Sequence, residues 1–168
     1  MSEEHVVSSV TVSVELEAPV AEVFGVASDH FQLPRWAHPV KEVRKRDGSP
    51  EVDYLLPDGV VTCPCEGRSD PALGVADWTV HLPRGGDLKV YSRALPLGDS
   101  RTVFMLTLLS PPMPRRQLKD AFSVVQKNLL RDLDKFKAIV EKDPASPGPR
   151  PENLAGPAKK PARRRKKA

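Results

Sequence analysis

The stretch "PRRQLKDAFSVVQKNLLRDLDKFKAIVEK", from Pro114 to Lys142, constrains the fold more than any other part of the chain. Leu118, Phe122, Val125, Leu129, Leu133, Phe136 and Val140 recur at steps of three and four, which places them in one stripe of an amphipathic helix. Lys119, Asp120, Lys127, Arg131, Asp134 and Lys135 keep the opposite side wet. At 1.5 Å per residue such a helix is roughly 40 Å long, enough to cross a whole small domain. Pro144 ends it, because proline has no N–H to continue the ladder. A stripe of that length needs an equally long apolar surface to cover it.

The residues before the helix supply that surface as strands. In "VVSSVTVSVEL" (Val6–Leu16), Val10, Val12, Val14 and Leu16 alternate with Ser9, Thr11, Ser13 and Glu15, which predicts a half-buried strand. "APVAEVFGVASD" follows at helical spacing, with Pro19 suited to a first helical position. Asp29 is placed to cap a second short helix, whose length Pro34 limits. After Trp36 the chain alternates again. Turn residues at Asp47-Gly48, Pro57-Asp58-Gly59, Arg84-Gly85-Gly86 and Gly98-Asp99-Ser100 divide it into a meander of about six antiparallel strands. The expected fold is therefore α+β. A curved antiparallel sheet wraps on a long C-terminal helix, with two short helices after the first strand.

Charge separates the tail from this body. Of 26 basic and 22 acidic residues, eight basic and one acidic lie from Ala145 onward, leaving a body near −3 and a tail of +7. The expected domains are residues 1–143, folded, and 144–168, a disordered Pro-rich tail with nothing large and apolar to bury. Lys159, Lys160, Arg163, Arg164, Arg165, Lys166 and Lys167 form a candidate polyanion-binding run. Such a run contacts nucleic acid without reading its sequence, or an anionic surface, or simply keeps the chain soluble. No apolar run approaches the roughly 20 residues of a membrane span. The acidic "MSEEHVV" start lacks a signal pattern, so the expected location is the cytoplasm.

The segment "VSVELEAPVAEVFGVASDHFQLPRWAHPVKEV" is similar to the opening of the START-like, SRPBCC superfamily, which includes polyketide cyclase-like proteins. Ala18, Pro19, Val23, Phe24, Asp29, Leu33, Pro34, Trp36 and Val40 carry the resemblance, and the element order extends it to about Lys142. "TCPCEGRSDPALG" follows no pattern of that family. The resemblance implies a helix-grip fold with a cavity between sheet and long helix, used for hydrophobic small molecules or lipids.

Alternation assigns the inner face on which such a cavity would draw. The expected lining is Tyr54, Trp78, Val80, Val90 and Ser92 from the earlier strands and Phe122, Val125 and Leu129 from the helix; in "TVFMLTLL" both parities are apolar, so alternation does not choose a face, and Phe104 and Leu106 are taken as inward without its support. Trp36 is expected to plug one end of the grip, with a partner for its indole N–H. Tyr54, Ser92, Thr107 and Trp36 are the polar groups expected to orient a ligand. The same residues equally make an ordinary filled core.

No catalytic constellation emerges. His81 is expected to face outward, and His38 reaches chemistry only if it points into a cavity mouth. Cys63 and Cys65 lack the further ligands that zinc requires, and Pro64 between them points to an edge strand. No metal or cofactor is implied. The primary expectation is a binding module for a hydrophobic or amphipathic small molecule. The alternatives are a polyketide cyclase or dehydratase acting by confinement, and a regulatory protein that contacts nucleic acid through its tail.

Overall fold

The computed structural model of the chain describes residues 4–83 and 86–142. The alternating Val6–Leu16 stretch forms two strands, β1 (His5–Val6) and β2 (Ser9–Leu16), rather than one. The break falls at Val7-Ser8, where the Ser8 N–H donates to Ser110 Oγ (3.1 Å) and the Ser110 N–H returns to the Ser8 carbonyl (2.9 Å). Helix α1 (Val20–Ser28) follows, with Pro19 one position earlier than expected, at the N-cap. The Asp29 carboxylate accepts the Phe31 N–H and starts a 3₁₀ turn (His30–Gln32), which leads into the single-turn α2 (Leu33–Trp36). Pro34 therefore opens α2 instead of ending the element before it, which suits a residue with no N–H to donate.

Six strands then run as a meander: β3 (Val40–Arg46), β4 (Ser49–Leu56), β5 (Gly59–Asp70), β6 (Val75–Leu82), β7 (Gly86–Pro96) and β8 (Thr102–Leu109). The sheet order is β2-β8-β7-β6-β5-β4-β3, antiparallel at every pairing. Asp47 (φ 51°) and Gly48 (φ 86°) both take the left-handed conformation that a two-residue hairpin turn demands. Arg84 and Gly85 of the β6–β7 connection lie outside the described residues.

The unmatched "TCPCEGRSDPALG" segment is the far part of β5 and a turn at Pro71–Gly74. Asp70 Oδ1 accepts the Ala72 and Leu73 N–H groups (3.0 and 3.3 Å) and closes that turn. Pro64 is not in an outermost strand, although it is paired on one side only. It lies inside the sheet, where β5 changes partners: its first half pairs with β4 up to Glu51↔Pro64, and Cys65 to Asp70 pair with β6. A residue that cannot donate is tolerated at that hand-over.

After the short β9 (Met113–Pro114), which pairs with β1, comes α3 (Arg115–Lys142). It packs along β2, with β9, α1 and α2 beside it. The apolar stripe is turned inward as its spacing requires: Leu129, Leu133, Phe136 and Val140 are all buried. Phe136 stacks on Phe104 of β8 (centroids 4.3 Å apart, 15° between planes) and receives Trp36 edge-on at 5.1 Å. Side chains therefore fill the space between sheet and helix at this level. Each fully buried aromatic or aliphatic group there stabilises the fold by about 1.5–3 kcal/mol.

Candidate functional site

The change of partner along β5 shapes the site. A groove of about 630 Å³ lies where β5 leaves β4 for β6, between the end of α1 and the tip of the β3–β4 hairpin. That volume is in the range of small-molecule sites. Trp78, His30, Pro50, Pro64 and Cys65 give the groove its apolar and aromatic wall. Lys45, Glu66, Arg68, His81 and the hydroxyls of Ser28, Ser49 and Ser69 supply its polar groups.

The cap at Asp29 positions the first wall residue. By fixing the 3₁₀ turn it sets the His30 ring edge-on to Trp78 (5.1 Å, 69°), and the Phe31 ring lies 4.8 Å from the imidazole at 33°. Trp78 is opposite Gly67 in the β5–β6 ladder, and the missing side chain there makes room for its indole. A Cβ on Gly67 would stand 2.5 Å from Trp78 Cζ3.

Electrostatics distinguish the polar groups. Burial lowers the His30 pKa, the Lys45 charge adds to that, and Asp29 opposes it without reversing it. The shift favours the neutral ring, and its buried Nε2 has no hydrogen-bond partner among the described residues. His81 is shifted up, first by its hydrogen bond to Asp87 (Nδ1 to Oδ1 2.8 Å) and further by Glu66 (Nε2 to Oε1 3.4 Å). Burial pushes the Cys65 thiol up to about 11, with Glu66 and Cys63 adding to the shift, and burial also raises Cys63. Both sulfurs are thus protonated core groups, not nucleophiles.

A second polar cluster is buried deeper, where α2, β4 and α3 meet. Asp132 of α3 is only 3% exposed, and burial pushes its carboxyl up to about 6 against the lowering effect of the His38 N–H, which donates to Oδ1 at 3.0 Å. Burial, then the Asp132 charge, raises the Tyr54 phenol well above its usual value. Trp36 Nε1 is buried nearby with no partner among the described residues, contrary to the expectation for its indole N–H. Asp132 was not among the expected site residues. Its signal was its phase: it falls three residues after Leu129 and four before Phe136, on the stripe and not the wet side.

The expected lining residues fall into distinct places. Trp36, Trp78, Val80, Ser92, Phe104, Leu106 and Leu129 are buried, and Tyr54, Val90 and Val125 pack half-buried against them. Trp78 is the one that lines the groove. Phe122 lies half-buried on another concavity of about 480 Å³, beside Val10, Thr11 and Gln126. Ser92 is no free ligand contact, because its hydroxyl donates to the Ala76 carbonyl. Thr107 points to the other face of the sheet, as its neighbour Leu106 points in, and shares a hydrogen bond with Thr11 (2.9 Å). His38 sits on the loop after α2, its ring pKa lowered by burial and by Lys41, Arg131 and Lys135. The basic run Lys159–Lys167 lies outside the described residues. Lys45, Gly67 and Arg68 were missed as a group, since only the partner exchange of β5 brings them together.

Among the described residues, no helix is long and apolar enough to cross a membrane. The profile of the family described as "Polyketide cyclase / dehydrase and lipid transport" matches residues 8–141. Among solved structures, the fold is similar to the Zhui aromatase/cyclase from Streptomyces sp. R1128 (TM-score 0.70, 20% identity, covering 85% of this chain and 99% of that one). It is also similar to the di-domain ARO/CYC BexL from the BE-7585A biosynthetic pathway (TM-score 0.65, 15% identity, 82% of this chain and 48% of that one). A third similar structure is a START superfamily protein from Mycobacterium smegmatis (TM-score 0.58, 18% identity, 82% of this chain and 98% of that one). No curated protein matches the chain by sequence.

Proposed function

Because the chain belongs to the polyketide cyclase / dehydrase and lipid transport family, we propose that it is a cytoplasmic binding module for a hydrophobic or amphipathic small molecule, held in the groove beside Trp78. The observation that carries this reading is the seating of Trp78. Its indole fills the space that Gly67 leaves open and meets the His30 ring at 5.1 Å, so two aromatic rings border a groove of about 630 Å³. Such a border with a few polar groups at its margin is the usual design of a small-molecule site. Val90 stands opposite Trp78 in the β6–β7 ladder, and Val80 follows two residues on along β6. The free thiols of Cys63 and Cys65 suit a reducing compartment.

The test is a fluorescence titration of the full chain with N-phenyl-1-naphthylamine, an uncharged probe that brightens in apolar sites. Saturable binding that is lost in Ser69→Trp, a bulky residue placed on the exposed groove margin, supports the reading. Binding unaffected by Ser69→Trp moves the site elsewhere.

The second reading is a cyclase or dehydrase, favoured by the buried pair Asp132 and Tyr54. A carboxyl with a pKa near 6 beside a phenol suits proton transfer. Loss of water from a β-hydroxyketone probe, slowed in Asp132→Asn and Tyr54→Phe, supports it. No rate above buffer with the parent chain removes it. The tail from residue 144 is assigned to anionic partners, nucleic acid or surface. Binding to a mixed-sequence DNA duplex that falls steeply with salt, and vanishes without residues 145–168, is the expected result.

A further inference from the structure

Strand β5 is longer than the hairpin beside it. Its pairing with β4 runs from Leu56↔Gly59 to Glu51↔Pro64, after which Ser49 and Pro50 pair only with β3 and the hairpin turns at Asp47-Gly48. Cys65 to Asp70 pair with β6 on one side in unbroken register. On their other side they meet no strand among the described residues. Every second residue of such a stretch turns its N–H and C=O outward. Glu66, Gly67, Arg68 and Ser69 are exposed in succession, and the consecutive run from Pro64 to Ser69 lines the groove with residues of both sheet faces. The groove therefore runs along a strand edge. The outermost strand, β3, is instead blunted by a bulge between Val40 and Glu42 and by the charges of Lys41, Glu42, Arg44, Lys45 and Arg46.

We propose that this edge takes an extended peptide segment of a partner protein, added antiparallel to β5 along the course that β4 leaves. Main-chain hydrogen bonds hold such a strand, and its side chains alternate between two environments. On the outer face, Glu66 and Arg68 stand two residues apart with opposite charges, across from Thr79 and Asp77 of β6. Asp77 is bonded to Arg93, and Arg68 makes no ion pair among the described residues. The Glu66 side chain is 78% exposed and has only the His81 ring beside it, which is shared with Asp87. An antiparallel strand therefore makes a charge pair with each if an acidic residue faces Arg68 and, two positions on, a basic residue faces Glu66. The residue between them lies on the inner face opposite Gly67, where the Trp78 indole fills the empty side-chain position, and is therefore apolar. The order recognised is acidic, apolar, basic. This goes beyond the small-molecule reading and does not depend on it.

The probes are two heptapeptides of one composition, TVEVKVT and TVKVEVT, each blocked at both ends and carrying fluorescein on a Gly-Ser linker. Fluorescence anisotropy follows their binding to the full chain at low salt. TVEVKVT is expected to bind about fivefold more tightly, on the scale of two cross-strand charge pairs turned from repulsion to attraction. Added salt shrinks the preference. In Glu66→Lys/Arg68→Glu, which exchanges two exposed charges, the preference reverses. TVEVKVT methylated at every peptide nitrogen keeps its side chains, loses its donors and is expected not to bind. Binding of neither peptide, equal binding of both, or a preference that the double variant leaves unchanged overturns the inference. Saturable binding of N-phenyl-1-naphthylamine to the same protein then leaves the small-molecule reading standing. Undiminished binding of the methylated peptide also overturns it, because backbone pairing is then not what holds the strand. A parent that sediments as a dimer, and is dissociated by TVEVKVT, gives the edge to a second copy, whose own Glu66-Gly67-Arg68 has a matching charge order, and overturns the partner-protein assignment.

Discussion

Trp78 and Gly67 face each other across the β5–β6 ladder, and the indole occupies the space that a side chain on Gly67 would take. With Cζ3 only 2.5 Å from an ideal Cβ at that position, and the ring in contact with His30 at 5.1 Å, a methyl on Gly67 forces the indole to shift. Gly67→Ala is therefore expected to destabilise the fold by about 1–3 kcal/mol, the usual cost of overpacking. It should also change the near-ultraviolet circular dichroism of Trp78 and weaken binding of N-phenyl-1-naphthylamine. Urea denaturation with the titration repeated on the variant checks both. Unchanged stability with an unchanged Trp78 signal would show that the ring is free to swing away.

Asp132 ties the loop after α2 to the long helix through the His38 N–H, but its burial is costly when it is charged. Its folded pKa, about 6, lies above the ordinary value of 3.8, so the fold holds the proton more tightly than the unfolded chain does. Stability contributed by this group is complete below about pH 4, falls as pH rises towards 6, and stays lost above it. Asp132→Asn keeps an oxygen for the His38 N–H and removes the charge. It is expected to gain about 1–3 kcal/mol over the parent at pH 7.5 and nothing at pH 4. Asp132→Leu orphans that N–H and should lose part of the gain. Thermal melts at both pH values decide it. A parent more stable than Asp132→Asn at pH 7.5 would mean that the carboxylate is better solvated than its burial implies.

The fold was largely legible because its elements rest on local periodicity. The stripe from Leu118 to Val140 is a helix wherever it is placed, and Val10, Val12, Val14 and Leu16 alternate whatever they pair with. The inner faces of β6 and β7 followed from the same alternation, but in "TVFMLTLL" both parities are apolar, so alternation did not choose a face and the placing of Phe104 and Leu106 inside was a guess that their burial matches. The groove was not legible, because it depends on a tertiary event. β5 changes partners at Pro64, and no local pattern announces which strand a neighbour will be. The same proline suggested an edge strand, since a missing N–H reads alike at an edge and at a hand-over. Asp132 was open to detection: an acidic residue in phase with an apolar stripe signals a buried charge. Thr107 was misassigned, because it cannot share a face with its neighbour Leu106.

Phe136 is fully buried, stacked on Phe104 and met edge-on by Trp36, so it joins α3, β8 and α2 in one contact. Phe136→Ala leaves a large cavity among rigid rings and is expected to cost about 3–5 kcal/mol. Phe136→Leu keeps most of the volume but loses the ring contacts, each worth about 0.5–1.5 kcal/mol, and should cost less. Equilibrium denaturation of the three proteins measures the order. If Phe136→Ala costs no more than Phe136→Leu, the helix is not closed on the sheet in solution.

The histidines offer a test of the groove's electrostatics without any ligand. Burial holds the His30 pKa below 6.5, with Lys45 assisting and Asp29 opposing. His38 is lowered chiefly by burial, then by Lys41, Arg131 and Lys135. His81 is raised, first by its hydrogen bond to Asp87. In an NMR titration of imidazole shifts, His81 should therefore deprotonate last of the three. The ion pair it makes stabilises the fold fully below 6.5, its unfolded value, and that contribution is lost as pH rises through the folded pKa. Asp87→Asn should bring His81 down towards 6.5, while Lys45→Gln should bring His30 up. A His30 pKa unmoved by Lys45→Gln would show that the ammonium group points away from the groove.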